Sequence, residues 1–234
     1  MTDNNFKNIP LFQGCKSSFI DTLQKHAQYQ THEKGKILFI NDEKAERFYF
    51  IKNGWVKLFR ETLDGAQAVI DILPAGKIFG ETSIFENNTY PYSAEVIESS
   101  EIVSMPIANL KAEIENNNAM ALNMLRSITN DRQRQDKQIE HLSLQNAPQR
   151  IGCFLLRLAN QNTRGPITIH LPYDKTLVAS RLGMQPETFS RALARLSRDT
   201  GIRIKGATIE LDQLDQLTCY SCSACSSSFP CKNL

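Results

Sequence analysis

No run of about 18 apolar residues occurs in the 234-residue chain, which excludes a membrane-spanning helix. The first ten residues, MTDNNFKNIP, lack the apolar core of a signal peptide, so a cytoplasmic protein is expected. Excess charge is also scarce. The 27 Lys+Arg face 25 Asp+Glu, and a net +2 is weak support for a polyanionic partner. No Ser-His-Asp set, phosphate loop or pair of catalytic carboxylates can be assigned to one pocket, so no enzymatic activity is expected. What remains is an ordinary globular composition, 41% hydrophobic and 22% charged. The length suits one large domain or two small ones.

Both charge and cysteine are unevenly placed. Residues 1–146 carry 16 Lys+Arg against 19 Asp+Glu, whereas residues 147–218 carry 10 against 6. A slightly acidic front and a basic back put any nucleic acid at the back. Four of the six cysteines fall between Cys219 and Cys231.

Hydrophobic periodicity divides the chain further. Phe19, Ile20, Leu23 and Ala27 recur at helical spacing within residues 1–30. From about Lys34 the pattern shortens to segments at 37–40, 48–51, 55–60, 68–73, 94–98 and 102–106, rich in β-branched and aromatic residues. Gly-containing turns separate them, and Asp64-Gly65 suits a tight hairpin. Many short strands with glycine punctuation predict a β-barrel or double-sheet roll. After Pro106 the helical period returns. Ala121, Leu125, Ile128, Arg132, Gln135, Ile139 and Leu142 form a heptad seam that is polar in its middle. Such a helix either packs on its own barrel or pairs with a second copy. The dimer is the stronger expectation, because the helix leads into a DNA-reading unit of a kind that works in pairs.

That unit reads as helix, glycine-centred turn, helix and hairpin. Asp174 is placed to cap a helix through Leu182, Gly183-Met184 breaks it, and Pro186 opens a second helix to about Arg198. Residues 202–205 and 208–211 then alternate around Gly206 as a small basic hairpin. This order is that of a winged helix-turn-helix. On the second helix Phe189, Leu193 and Leu196 form the apolar stripe. Glu187, Ser190 and Arg191 lie on the other side near its start, where Glu can accept from cytosine N4 and Arg can grip guanine O6 and N7. Arg195, Arg198, Arg203 and Lys205 are placed to meet phosphates.

Glu187-Thr188-Phe189-Ser190-Arg191 matches the E-x-x-S-R pattern of the FNR side of the CRP/FNR family of bacterial transcription regulators. The chain resembles that family over nearly its whole length. The segment QPETFSR, Gln185 to Arg191, is especially similar to regulators of dissimilatory nitrate respiration. The runs from Lys34 to Phe39, from Tyr49 to Gly54 and from Gly76 to Glu81 match its barrel. The resemblance implies an α+β fold in four parts. These are a cyclic-nucleotide-binding-like β-roll sensory domain at 1–118, a dimerisation helix at 119–146, a winged helix-turn-helix at 147–218 and a cysteine-rich tail at 219–234. It further implies a homodimer on double-stranded DNA with palindromic TTGAT-like half-sites, base contacts by Glu187, Ser190 and Arg191, and RNA polymerase as a partner. The family's cyclic-nucleotide binders hold the ribose with a Glu that Glu81 matches, and clamp the phosphate with an Arg before Ser/Thr-Ala. Here that position reads Tyr92-Ser93-Ala94, and no Arg occurs between Arg60 and Arg126. A buried phosphate without a cationic partner is costly, so cyclic-nucleotide control is not expected.

Cys219-x2-Cys222-x2-Cys225-x5-Cys231 is the most specific chemical signal. The C-x2-C-x2-C run is the spacing by which ferredoxins hold three corners of a 4Fe–4S cluster. Cys231 is the expected fourth ligand, with Asp131, Asp136 or His141 as other sources. Zinc, redox-active thiols or no ligand at all are the competing readings. Cys15 has no partner by spacing, and Cys153 reads as a core residue. The resembling family carries cluster cysteines in an N-terminal extension in its best-known oxygen sensors and in a C-terminal one in a branch that this tail resembles. The expected function is therefore sensing of oxygen, redox state or nitric oxide. One alternative is a haem held by one of His26, His32, His141 or His170. The other, of a different class, is an electron-transfer protein that uses the cluster itself.

Overall fold

The computed structural model describes residues 6, 9–159 and 165–226. They form two compact units, 1–129 and 130–234. Among the described residues no helix is long and apolar enough to cross a membrane.

In the first unit, helix α1 (Ser17–His26) buries Phe19, Ile20 and Leu23, the stripe that the sequence predicts. Eight strands follow: β1 (Gln28–His32), β2 (Ile37–Phe39), β3 (Arg47–Asn53), β4 (Trp55–Glu61), β5 (Gln67–Pro74), β6 (Ile78–Phe79), β7 (Ser93–Val96) and β8 (Ser100–Pro106). They build two antiparallel four-stranded sheets in the orders β1-β8-β3-β6 and β2-β7-β4-β5. Residues 28–30 are thus strand rather than helix, a correction to the pattern reading. Gln28–His32 is polar and largely exposed, and its conformation comes from pairing with β8, Tyr29 opposite Val103. The segment at 94–98 ends as strand at Val96, because 97–99 turn into β8. Between β4 and β5, Thr62 N–H donates to Ala66 O around Leu63-Asp64-Gly65, with Gly65 at φ +84. This is a three-residue hairpin with its glycine in the left-handed position.

Helix α2 (Ile107–Asn116) is followed by the long helix α3 (Asn118–Leu144). Met120 and Met124 are buried on one side of α3. Leu125, Ile128, Ile139 and Leu142 of the heptad seam are exposed, as are Leu122 and Leu144.

The second unit begins within α3 and continues with α4 (Ala147–Leu158), β9 (Ile167–His170), α5 (Lys175–Arg181), α6 (Pro186–Thr200), β10 (Arg203–Lys205), β11 (Thr208–Leu211) and α7 (Asp215–Ser221). Asn146 and Gln149 close a reciprocal capping box at the start of α4. Asp174 Oδ1 accepts from Leu177 N–H at 2.9 Å, capping α5 as its sequence position predicts. Gly183, at φ +64, makes the turn to α6, which opens on Pro186. The sheet order β10-β11-β9 places the hairpin against β9. Ile151, Leu155, Phe189, Leu193, Leu196 and Leu217 are the centre of the core. One element lies across an expected boundary. Residues 219–221 belong to helix α7, and Cys222–Ala224 form a 3-10 turn, so the cysteine segment starts inside the folded domain.

Asp174→Ala removes a cap that satisfies an otherwise unpaired N–H. It is expected to lower stability by about 1 kcal/mol, read as a fall in the urea midpoint without change in slope.

Candidate DNA-reading surface and cysteine site

The stripe Phe189, Leu193 and Leu196 is buried, which fixes the rotation of α6 about its own axis. Glu187, Ser190, Arg191, Arg195 and Arg198 are consequently all exposed. Among the described residues neither Arg191 nor Arg198 has a carboxylate partner. Arg195 Nε lies 3.4 Å from Asp199 on the same helix. The hairpin differs from the sequence reading in its electrostatics. Arg203 pairs with Asp212 at 2.9 Å and reaches Glu210 at 3.5 Å, and Lys205 pairs with Glu210 at 3.0 Å. Arg203 holds the Asp212 carboxyl below the usual range, and Lys205 does the same for Glu210. The two hairpin cations therefore meet two carboxylates across the strand pair, a compensation that a count of Lys and Arg alone overlooks.

The described part of the cysteine segment is fastened to α4 and to the end of α3. Ser221 lies against Gly152, where a Cβ would come 2.0 Å from Ser221 Oγ. Its carbonyl accepts from Gln145 Nε2 at 3.4 Å. Gln149 Nε2 donates to Ser223 Oγ at 3.3 Å. Ser226 N–H donates to Glu140 Oε1 at 2.8 Å, and Lys137 Nζ reaches Ser226 Oγ at 2.7 Å. Cys225 Sγ is 3.8 Å from Nε2 of the buried His141, whose Nδ1 is 3.2 Å from Arg157 Nη2. Burial first, then Arg157 and Lys137, keep the His141 imidazolium disfavoured.

Cys219 is exposed, and Cys222 and Cys225 are half-buried. Cys219 is in α7, Cys222 opens the 3-10 turn, and Cys225 follows it in extended backbone. Among the described residues no three His, Cys, Asp or Glu side chains are gathered around one point. The donor chemistry of the three thiols suits a metal–sulfur centre, but this structure does not gather them into one. Cys231 lies outside the described residues. Of the other suggested ligands, Asp131 is paired with Arg134, whereas His141 is the one beside a tail cysteine. Cys153 is buried in α4, and Cys15 sits 3.6 Å from Met120 Sδ.

Two family models match this chain. The cyclic nucleotide-binding domain covers residues 29–117 and the Crp-like helix-turn-helix domain covers 149–220. A Mycobacterium tuberculosis protein named CRP-like cAMP-activated global transcriptional regulator is 29% identical over 202 residues, 85% of this chain and 90% of that one. The Escherichia coli fumarate and nitrate reduction regulatory protein is 24% identical over 183 residues, 77% of this chain and 73% of that one. A solved Ruegeria pomeroyi structure, classed by name with cyclic nucleotide binding proteins, is 31% identical with a TM-score of 0.65, covering 94% of this chain and 99% of that one.

This chain belongs to the CRP/FNR family of DNA-binding transcription regulators. Regulators of this family bind DNA as dimers, which gives the exposed face of α6 its context. The barrel of this CRP/FNR member matches the cyclic nucleotide-binding domain and is lined by aromatic rings. Phe39 and Tyr90 stack with centroids 3.7 Å apart, and Tyr49 stacks on Phe79 at 5.2 Å. Tyr92 Oη accepts the Gly80 backbone N–H at 3.2 Å. Glu81, itself buried, begins a 3-10 turn directly after Gly80, and Ser93 Oγ accepts from Asn41 N–H at 3.0 Å. The Tyr92-Ser93-Ala94 segment is thereby used to close the barrel.

Two substitutions separate the helix from the hairpin. Arg198→Ala is expected to reduce the slope of log affinity against log salt by about 1. Asp212→Asn, which removes the nearer of the two carboxylates at Arg203, is expected to steepen it by up to about 1. Fluorescence anisotropy on a labelled duplex across a KCl series reads both.

Proposed function

We propose that this CRP/FNR regulator senses oxygen, redox state or nitric oxide through a 4Fe–4S cluster on Cys219, Cys222, Cys225 and Cys231. The observation that carries this reading is the attachment of the cysteine segment. Cys225 abuts His141, and Ser226 is held by Glu140 and Lys137, all three on the last turns of α3. Any rearrangement that gathers the thiols must therefore act on α3 and, through Ser221 and Gly152, on α4. Ser221 Oγ and Gln145 Oε1 are buried without a hydrogen-bond partner among the described residues. Each such atom costs about 1–3 kcal/mol, which lowers the cost of opening this turn. When bound, an iron–sulfur cluster supplies a centre reactive towards oxygen and nitric oxide. The chain's own contribution is to hold that centre where it biases the end of the long helix.

The exposed apolar seam of α3 supports a homodimer. Its partner surface would be the same face of a second copy, polar in the middle at Arg132 and Gln135, so that the pair is poised rather than locked. Two α6 helices would then read a palindrome with TTGAT-like half-sites through Glu187, Ser190 and Arg191, with RNA polymerase as the effector of transcription.

Protein purified without oxygen is expected to contain iron and sulfide in equal amounts, with broad visible absorption. Cys222→Ser is expected to lose both, together with the oxygen sensitivity of DNA binding. Zinc alone, a haem Soret band, or metal-free protein with full DNA affinity overturns the cluster. Leu125→Asp is expected to shift the protein from dimer to monomer in analytical ultracentrifugation and to weaken palindrome binding at least tenfold. A dimer of unchanged affinity rejects the seam as the interface.

A further inference from the structure

Helices α6 and α7 meet in a polar contact at one of the candidate phosphate residues. Tyr220, on α7, donates its hydroxyl to Asp199 Oδ2 at 2.9 Å. Arg195 Nε lies 3.4 Å from the same oxygen. The Tyr220 ring is packed against the core of the C-terminal unit, which fixes where its hydroxyl stands. Burial and the Asp199 carboxylate hold that hydroxyl above the usual tyrosine range, against the opposite pull of Arg195, so it keeps the proton that it donates. Arg195 and Asp199 are both exposed and stand four apart with the cation first, the weaker order for such a helical pair. The carboxylate is therefore held chiefly from α7.

We infer that Tyr220 is a positioning residue for DNA binding: by holding Asp199 it limits that carboxylate to a loose contact with Arg195 and leaves the guanidinium able to meet a phosphate. The inference rests on Arg195 as a phosphate contact and is independent of what the thiols bind. Two effects act in the same direction. The phenol hydroxyl occupies the oxygen that Arg195 also meets, which weakens its pull on the cation. A carboxylate pinned at that oxygen also cannot turn to grip the guanidinium with both oxygens, the arrangement in which such pairs are strongest. Without the hydroxyl Asp199 is free to make the bidentate pair, and Arg195 is lost to DNA as a charge and as a donor. In the present contact only Nε faces Asp199, and the terminal nitrogens of a guanidinium carry further donors suited to phosphate oxygens.

The test follows full-length protein binding a labelled duplex with two TTGAT-like half-sites, by fluorescence anisotropy across a KCl series. Tyr220→Phe keeps the ring and removes the hydroxyl. It is expected to weaken binding about threefold at low salt and to flatten the slope of log affinity against log salt by up to about 1 per protomer. Asp199→Asn removes the neutralising charge and is expected to steepen that slope by up to about 1 per protomer. In the Asp199→Asn background Tyr220→Phe is expected to have no further effect, a coupling that a merely structural tyrosine would not show. Arg195→Ala is expected to flatten the slope by about 1 per protomer. An unchanged slope in Arg195→Ala overturns the phosphate contact and the inference together. A flattened slope in Arg195→Ala with wild-type binding in Tyr220→Phe overturns the inference alone, as does an equal effect of Tyr220→Phe with and without Asp199. Arg195 and Asp199 are exposed, so their variants leave the core intact, and an unchanged slope in Asp199→Asn also overturns the inference.

Discussion

Gly152 is the point on which the C-terminal unit depends. A side chain there would meet Ser221 Oγ at 2.0 Å and Leu196 Cδ1 at 3.6 Å. Bare backbone on α4 lets α6 and α7 close on the same turn of one helix. The DNA-reading helix and the cysteine segment are therefore both referred to α4, and neither can shift against it without disturbing a dense contact. Because α7 runs directly into Cys222, chemistry at the thiols has a short mechanical path to the helix that supports α6.

The electrostatics follow the same division of labour. A net charge of +2 conceals a basic C-terminal segment, and within that segment the cations are unequal. Arg191 and Arg198 project from α6 without carboxylate partners among the described residues. Arg203 and Lys205 face Glu210 and Asp212 across the hairpin. Compensation at the hairpin leaves the field towards DNA concentrated on the helix that also carries Glu187 and Ser190. Under the proposed reading, affinity and base reading both reside on that helix.

The barrel carries a distinctive aromatic interior. Its two sheets match the cyclic nucleotide-binding domain. Its interior is furnished with stacked Phe39, Tyr49, Phe79 and Tyr90, and Tyr92 occupies the Gly80 N–H.

Periodic signals were legible because each is local. Short β-branched and aromatic runs between glycine turns marked six of the eight barrel strands, the i, i+4, i+7 stripe fixed the buried face of α6, and Asp174, Gly183 and Pro186 set the helix-turn-helix by capping, left-handed backbone and a missing N–H. The polar strand Gln28–His32 was not legible, since its only driving force is pairing with residues more than 65 positions away. The cysteine spacing named a donor set, and its use is the proposal made above. Helical continuation through Ser221, the hairpin ion pairs and the Arg157–His141–Cys225 relay were decided by tertiary structure alone. Each depends on atoms brought together from separate elements, where burial and the direction of a single N–H outweigh any preference written in neighbouring residues.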